Sequence, residues 1–439
     1  MRTRSAAVVA ALVLASTGAR ADTVDVSSTT MLMWQKDFRL PASTNTSQLV
    51  ELRSVVPLLE ILNVSARDIR NPVAEHLQLE LSTWGGVELA DHRWQPGPSL
   101  SSDFSGDLDV AYLKGDLLSQ RLTLRLGRQH VVEGNARMLH VDGVEAVVRL
   151  PENFGISGYF GKPVASRFDA VGTDRTTNAT RGDYAGGGRV SYAYPGWAEG
   201  GVSFAWAIDH GNLSRQDLGG DLRVTPYRAL TLNGFVDYSL YEARVAEGNV
   251  MATWQLWRRL SLSADYRHLE PDLFLPRDSI LAVFSNAKQN DLGGNLHLTI
   301  PCLAAGLDAD YHALLEPAGT GHDARLKGTA HPYGPYITVG AELRYLHNPD
   351  NGYSEARLFG GHQMGRLAFT LDLQGFYFES LVNDHRTSLL ATATAGYDLG
   401  DGFRAQVSGG GGYTPFVSDQ FEVMAKLVYN QTYHLREVR

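Results

Sequence analysis

Residues 77–89 read LQLELSTWGGVEL. Leu77, Leu79, Leu81, Thr83, Gly85, Val87 and Leu89 fall on one parity, and Gln78, Glu80, Ser82, Trp84, Gly86 and Glu88 on the other. Successive side chains of a strand point to opposite faces, so the stretch predicts a strand with one apolar and one polar face. The alternation returns at Leu230–Tyr238, Leu260–Arg267, Leu367–Gln374 and Phe421–Tyr429. About twenty such segments follow one another from residue 74 to residue 431, each roughly ten residues long, the length of a tilted membrane strand. No amphipathic pattern of helical period interrupts them.

The gaps between segments carry a second signal. Short ones (Pro151-Glu152-Asn153, Pro195-Gly196-Trp197, Arg258, Pro301-Cys302, Pro335) alternate with longer ones at 91–104, 163–183 and 269–289. A membrane barrel has short periplasmic turns on one side and longer external loops on the other. The alternation lapses near 347–352 and 412–418. Counting 323–333 as a strand returns both chain ends to one side, as an even-stranded barrel requires. Aromatics near segment ends (Trp84, Trp206, Trp254, Trp257, Tyr345, Tyr377, Tyr397, Tyr429) suit the two bilayer interfaces.

Composition narrows the class. The 439 residues include 45 glycines, 10% aromatics, 20% charged residues and one cysteine, Cys302. Mean hydropathy is −0.18. A disulfide scaffold, a helical membrane protein and a disordered chain are excluded. Arg2 and Arg4, the apolar run Ala6–Ala15 and the Ala19-Arg20-Ala21 triplet predict a secretory signal cleaved after Ala21. Without its three arginines, the 39 basic residues become 36 against 48 acidic ones, a net charge of −12. Nucleic acid is therefore a poor partner.

The expected fold is all-β: a transmembrane antiparallel up-and-down β-barrel of about 20 strands, within a range of roughly 18–22. It would occupy residues 74–433, with a short tail at 434–439. Residues 22–73 stay open between an extra hairpin, an inward-folded segment and a periplasmic one.

The Arg125-Leu126-Gly127-Arg128-Gln129 string, followed by Val141-Asp142-Gly143-Val144, joins the signal, the periodic strands and the sided turns. Together they resemble bacterial outer-membrane porin-like β-barrels over nearly the whole mature chain. The resemblance implies the outer membrane, contact with its lipid and lipopolysaccharide, the outer-membrane assembly machinery as a partner, and a channel for small hydrophilic solutes. One departure stands out. Such barrels usually finish on an aromatic residue, whereas this chain ends Tyr433-His434-Leu435-Arg436-Glu437-Val438-Arg439.

Parity assigns the charges of the lumen, because a midplane Arg or Lys facing lipid costs about 2–4 kcal/mol. The candidate pore-lining set is Arg121, Arg125, Arg149, Arg267, Arg344 and Arg357 with Glu80, Asp107, Asp109, Glu145, Asp237, Asp265, Asp308, Asp310, Glu342, Glu355 and Asp372. Its acidic excess predicts a mild preference for cations. Arg128 breaks parity, and two readings stay open: a bulge at Gly127 turns it inward, or it lies at the headgroup rim. The apolar loop 269–289 is expected to fold inward and narrow the pore, with Asp272, Arg277 and Asp278 nearby; an external lid is the alternative. No catalytic residue, cofactor or metal site is expected: His140-Val141-Asp142 offers too few ligands, no H-E-x-x-H occurs, and Gly409–Gly412 lacks the lysine of a phosphate loop. A barrel-wall lipid hydrolase and a non-conducting structural barrel are the alternative functions, although no G-x-S-x-G is present.

Overall fold

Each alternating segment finds its partner in the next one along the chain. A computed structural model describes residues 21–37, 53–69, 74–89, 104–132, 134, 139–164, 183–209, 211–270, 273, 288–349, 351–415 and 417–434. The signal region, the interior of 269–289 that carries Asp272, Arg277 and Asp278, and the tail 435–439 lie outside the described residues.

The first strands are β1 (Thr23–Asp37), β2 (Pro57–Ile69, with a short extension Arg53–Val55), β3 (His76–Glu88), β4 (Phe104–Leu117), β5 (Leu122–Val131), β6 (Leu139–Arg149) and β7 (Phe154–Pro163). They continue as β8 (Tyr184–Tyr194), β9 (Ala198–Asp209), β10 (Asn212–Tyr227), β11 (Leu230–Ser239), β12 (Arg244–Trp257), β13 (Leu260–Leu269), β14 (Gln289–Ile300) and β15 (Ala305–Glu316). The last are β16 (Gly319–Ala330), β17 (Ile337–His347), β18 (Tyr353–Met364), β19 (Leu367–Val382), β20 (His385–Gly400), β21 (Phe403–Thr414) and β22 (Val417–His434). Every neighbour pair is antiparallel, and β1 pairs with β22 from Thr23↔His434 to Gln35↔Glu422. The sheet is thereby closed and has no edge.

The barrel has 22 strands and begins at Thr23, not at residue 74. The extra pair is β1 and β2. Alternation is hard to read there because the polarity of the two faces is locally inverted. Met31, Leu59, Ile61 and Trp84 fall on the inner parity, while Ser28, Thr30 and Glu60 fall on the outer one, where both hydroxyls donate to the Glu60 carboxylate. Trp84 is therefore not an interface aromatic; it stands inward between Ile61 and Asp107.

Elsewhere the outer face is apolar. Val202, Leu222, Val250, Leu292, Leu343 and Leu358 are each more than half exposed. A surface of this kind all round a closed sheet belongs in lipid. Two aromatic girdles bound it. One, at the end of the short turns, includes Tyr192, Trp197, Trp254, Tyr397 and Tyr429. The other includes Trp34 against Phe421, Phe160 against Tyr184 and Trp206, and Tyr345. The observed loops sort by side only in the first part of the barrel. From β17 onward the external excess is taken up by strand: β19 and β20 run 16 residues each and β22 runs 18.

Candidate functional site: the lumen

Register turns the inner parity into a set of cross-strand ion pairs. On β5 and β6, Arg125 lies opposite Glu145, and its Nη1 donates to the buried carboxylate at 2.7 Å. On β8 and β10, Arg189 grips Asp221 through Nε at 2.9 Å and Nη2 at 2.6 Å. Arg215 pairs with Asp217 and reaches Asp237 at 3.6 Å. Arg267 meets Glu247 at 3.6 Å.

The densest run spans β14 to β19. Asn295 donates to Asp310 at 2.6 Å, and Arg325 Nε donates to the other oxygen of that carboxylate at 2.8 Å. Arg344 holds Asp323 through two bonds of 2.9 and 2.7 Å. Arg357 holds Asp372, again with Nε at 2.9 Å. Gln374 donates to Glu355 at 2.7 Å, and His297 bonds Asp308 at 2.6 Å. Phe359 lies between two cations, Lys327 Nζ at 5.5 Å and the Arg357 guanidinium at 5.3 Å. Paired guanidinium–carboxylate bonds fix the plane of each arginine, which a single lysine contact would not do.

Most of the expected charges take inner positions: Arg125, Arg267, Arg344, Arg357, Glu80, Glu145, Asp237, Asp265, Asp308, Asp310, Glu342, Glu355 and Asp372. Arg121 and Arg149 belong to the rim at the short turns, where Arg149 donates to the Gln120 carbonyl at 2.7 Å. Asp107 and Asp109 do not share a face. The register of β3 on β4 slips between Ser82 and Thr83, skipping Asp109, so Asp107 comes opposite Trp84 while Asp109 joins the outer parity of Ala111. Arg128 keeps the outer parity as well. There is no slip between β5 and β6, and it binds Asp142 with bonds of 2.7 and 2.9 Å near the external rim. Arg189, Arg215, Arg325 and Lys327 join the inner set; strict alternation through β8, β10 and β16 is the signal for them.

One residue between β5 and β6, Gly134, does lean inward. Beyond the Gly127↔Gly143 and Gly143↔Gly161 pairs, Val131 and Val141 are fully buried against Tyr159 on the inner face. Gly134 lies against the inner face of β8 and β9: a Cβ on it would meet the Ser203 side chain at 2.3 Å and Arg189 Cδ at 3.4 Å. Sequence reasoning passed over the gap between β5 and β6 because it is short and only moderately apolar. The start of the segment expected to constrict the pore is anchored at the rim, where buried Glu270 accepts from Arg244 at 2.7 Å and lies 3.7 Å from both His268 and Lys288.

A closed sheet with a lipid-type exterior and a charged interior is now in view. The protein is a closed 22-stranded β-barrel of membrane type. Among solved structures it is similar to OpdK of Pseudomonas aeruginosa with vanillate, at a TM-score of 0.45 and 10% identity over 94% of this chain and 98% of that one. It is also similar to OccAB4 of Acinetobacter baumannii (0.44, 9%, covering 94% and 99%) and to a BenF-like porin from Pseudomonas fluorescens (0.43, 10%, covering 94% and 99%). No protein-family model matches the sequence, and no curated protein does.

Proposed function

We propose that this barrel passes small hydrophilic solutes, passively or by facilitated diffusion, through a lumen lined by mixed charges. The observation that carries the reading is the run of guanidiniums held flat on the wall by Asp310, Asp323 and Asp372. Twenty-two strands enclose more space than side chains alone fill, so these charges border water. Opposed charges at fixed positions set a transverse field that acts on polar solutes in transit. The acids of the inner wall outnumber its cations and favour a mild preference for cations. Gly134, beside Ser203 and Arg189 on the inner face, narrows the passage.

Planar-bilayer recording of the refolded protein tests this. Unitary steps are expected, with a reversal potential in a KCl gradient that indicates weak cation preference. Arg344→Ala together with Arg357→Ala should move that potential further toward cations and keep the unitary steps. A silent bilayer containing heat-modifiable, folded protein would favour a structural barrel. Lipid turnover abolished by one Ser or His substitution would select the hydrolase instead.

A further inference from the structure

A second cluster of chemistry-bearing side chains lies off the lumen. His140 of β6 shares the outer parity with Asp142 and Val144, and register puts His130 of β5 directly opposite it. The two imidazoles stack with centroids 4.3 Å apart and planes 28° apart. The slip that takes Asp109 out of the inner series brings it to the same place. Asp109 Oδ1 lies 3.5 Å from His130 Nε2, and the Asp109 carbonyl accepts a 2.6 Å bond from His140 Nε2. One donor atom from each residue lies within 4.8 Å of the other two. Among the described residues this is the one group of three that meets such a criterion.

Two imidazoles and a carboxylate suit a first-row divalent ion of the zinc type, whereas Mg2+ and Ca2+ take oxygen ligands. The bond to the Asp109 carbonyl keeps the proton on His140 Nε2 and leaves Nδ1 with its lone pair. Ligating histidines are usually oriented in this way, through the second ring nitrogen and a backbone carbonyl or carboxylate. His130 Nδ1 is buried and has no hydrogen-bond partner, so the ring carries an unmet polar atom. Zn–N bonds of about 2.0–2.1 Å need donors roughly 3.4 Å apart, a closure that small rotations of three side chains supply. Arg128, the nearest strong cation on this face, is already neutralised by its two bonds to Asp142.

The position gives the cluster a consequence. His130 is the last residue but one of β5 and His140 the second of β6, so an ion held by both would tie the end of one strand to the start of the next. We propose that Asp109, His130 and His140 form a binding site for a divalent transition-metal ion of the Zn2+ class, which ties β4, β5 and β6 together at this rim.

The other rim pair, His322 and His347, is a built-in control. Those rings lie 6.4 Å apart, and each Nδ1 is taken, one by the Tyr311 hydroxyl at 2.8 Å and the other by Glu379 at 2.8 Å. The test is calorimetric titration of the intact, heat-modifiable barrel in micelles with Zn2+, beside Mg2+ at the same concentration. One saturable Zn2+ site without a Mg2+ counterpart is expected. His130→Ala, His140→Ala and Asp109→Asn should each weaken it at least tenfold, and His322→Ala should leave it unchanged. Cu2+ loaded into the wild type should give a paramagnetic resonance spectrum with two imidazole nitrogens, reduced to one in either histidine variant; His130→Gln and His140→Gln replace the alanine forms if those fail to fold. No saturable Zn2+ binding by the folded wild type, or binding that survives loss of both histidines, overturns the site. Neither result depends on whether the barrel conducts.

Discussion

At the scale of single residues, the inner wall is made of pairs, and each pair is worth more than its members. Glu145 is 3% exposed and accepts from Arg125 Nη1, while Arg125 Nε already lacks a partner. Removing the carboxylate leaves a half-buried guanidinium uncompensated in the wall. Glu145→Ala should cost about 2 kcal/mol of stability, somewhat below a fully buried pair because Arg125 is partly wetted. The double change Arg125→Leu with Glu145→Leu should cost clearly less than Glu145→Ala alone. Urea unfolding of the folded barrel measures both; equal losses would mean that the pair contributes only packing. Alternation placed these two residues on one face, but it could not pair them. Pairing follows from register, and register is set between strands rather than along one. The same limit explains Asp109. One unpaired residue in β4 moves a side chain to the opposite face, and nothing in the run Asp107-Leu108-Asp109-Val110 announces it.

At the scale of elements, a row of glycines decides how β5, β6 and β7 approach one another. Gly127, Gly143 and Gly161 stand in register. A Cβ on Gly143 would meet the Phe160 carbonyl oxygen at 2.2 Å and Gly161 Cα at 2.6 Å, backbone that cannot swing aside. Gly127 adds a φ of 127°, outside the range of other residues. The close approach lets the ends of β5 and β6 fold over Tyr159 and carry Gly134 to Ser203. Gly143→Ala should therefore separate β6 from β7 and abolish heat-resistant gel mobility at temperatures the wild type survives. Gly334→Ala, in a turn with φ 69° and open space around it, should cost only about 1 kcal/mol from backbone conformation. Equal behaviour of the two would remove close packing as the reason for the row. The strands themselves were legible because period two is a property of one segment at a time. β1 and β2 were not, since Glu60, Ser28 and Thr30 sit outward and Leu59 and Ile61 inward. Membrane alternation assumes a polar lumen and an apolar exterior, and these positions of the hairpin reverse both.

At the scale of the whole molecule, the remaining question is what sets the width of the passage. A barrel of 22 strands would be wide if only its wall limited it. Deletions in two segments test it. Gly134, between β5 and β6, lies over the inner face beside Arg189 of β8 and Ser203 of β9. Residues 270–288 start from a rim network that ties Glu270 to Arg244 and lies beside Lys288. Replacing 133–138 with a tight two-residue turn removes the first without touching His130 or His140; deleting 272–285 removes the second. Conductance scales with the narrowest cross-section, so the segment that forms it should raise the unitary step severalfold when lost, and the other should change it little. The inward lean of Gly134 favours 133–138 as the larger effect. Its deletion should also weaken charge selectivity, because ions would then pass farther from Arg189 and Asp221 and be better screened over a Debye length of about 8–10 Å. Recording both deletions at 0.1 and 1 M KCl separates width from charge: a width effect persists at high salt, whereas a charge effect fades. An unchanged step after loss of 133–138 would assign the constriction to 270–288 or to the wall charges themselves.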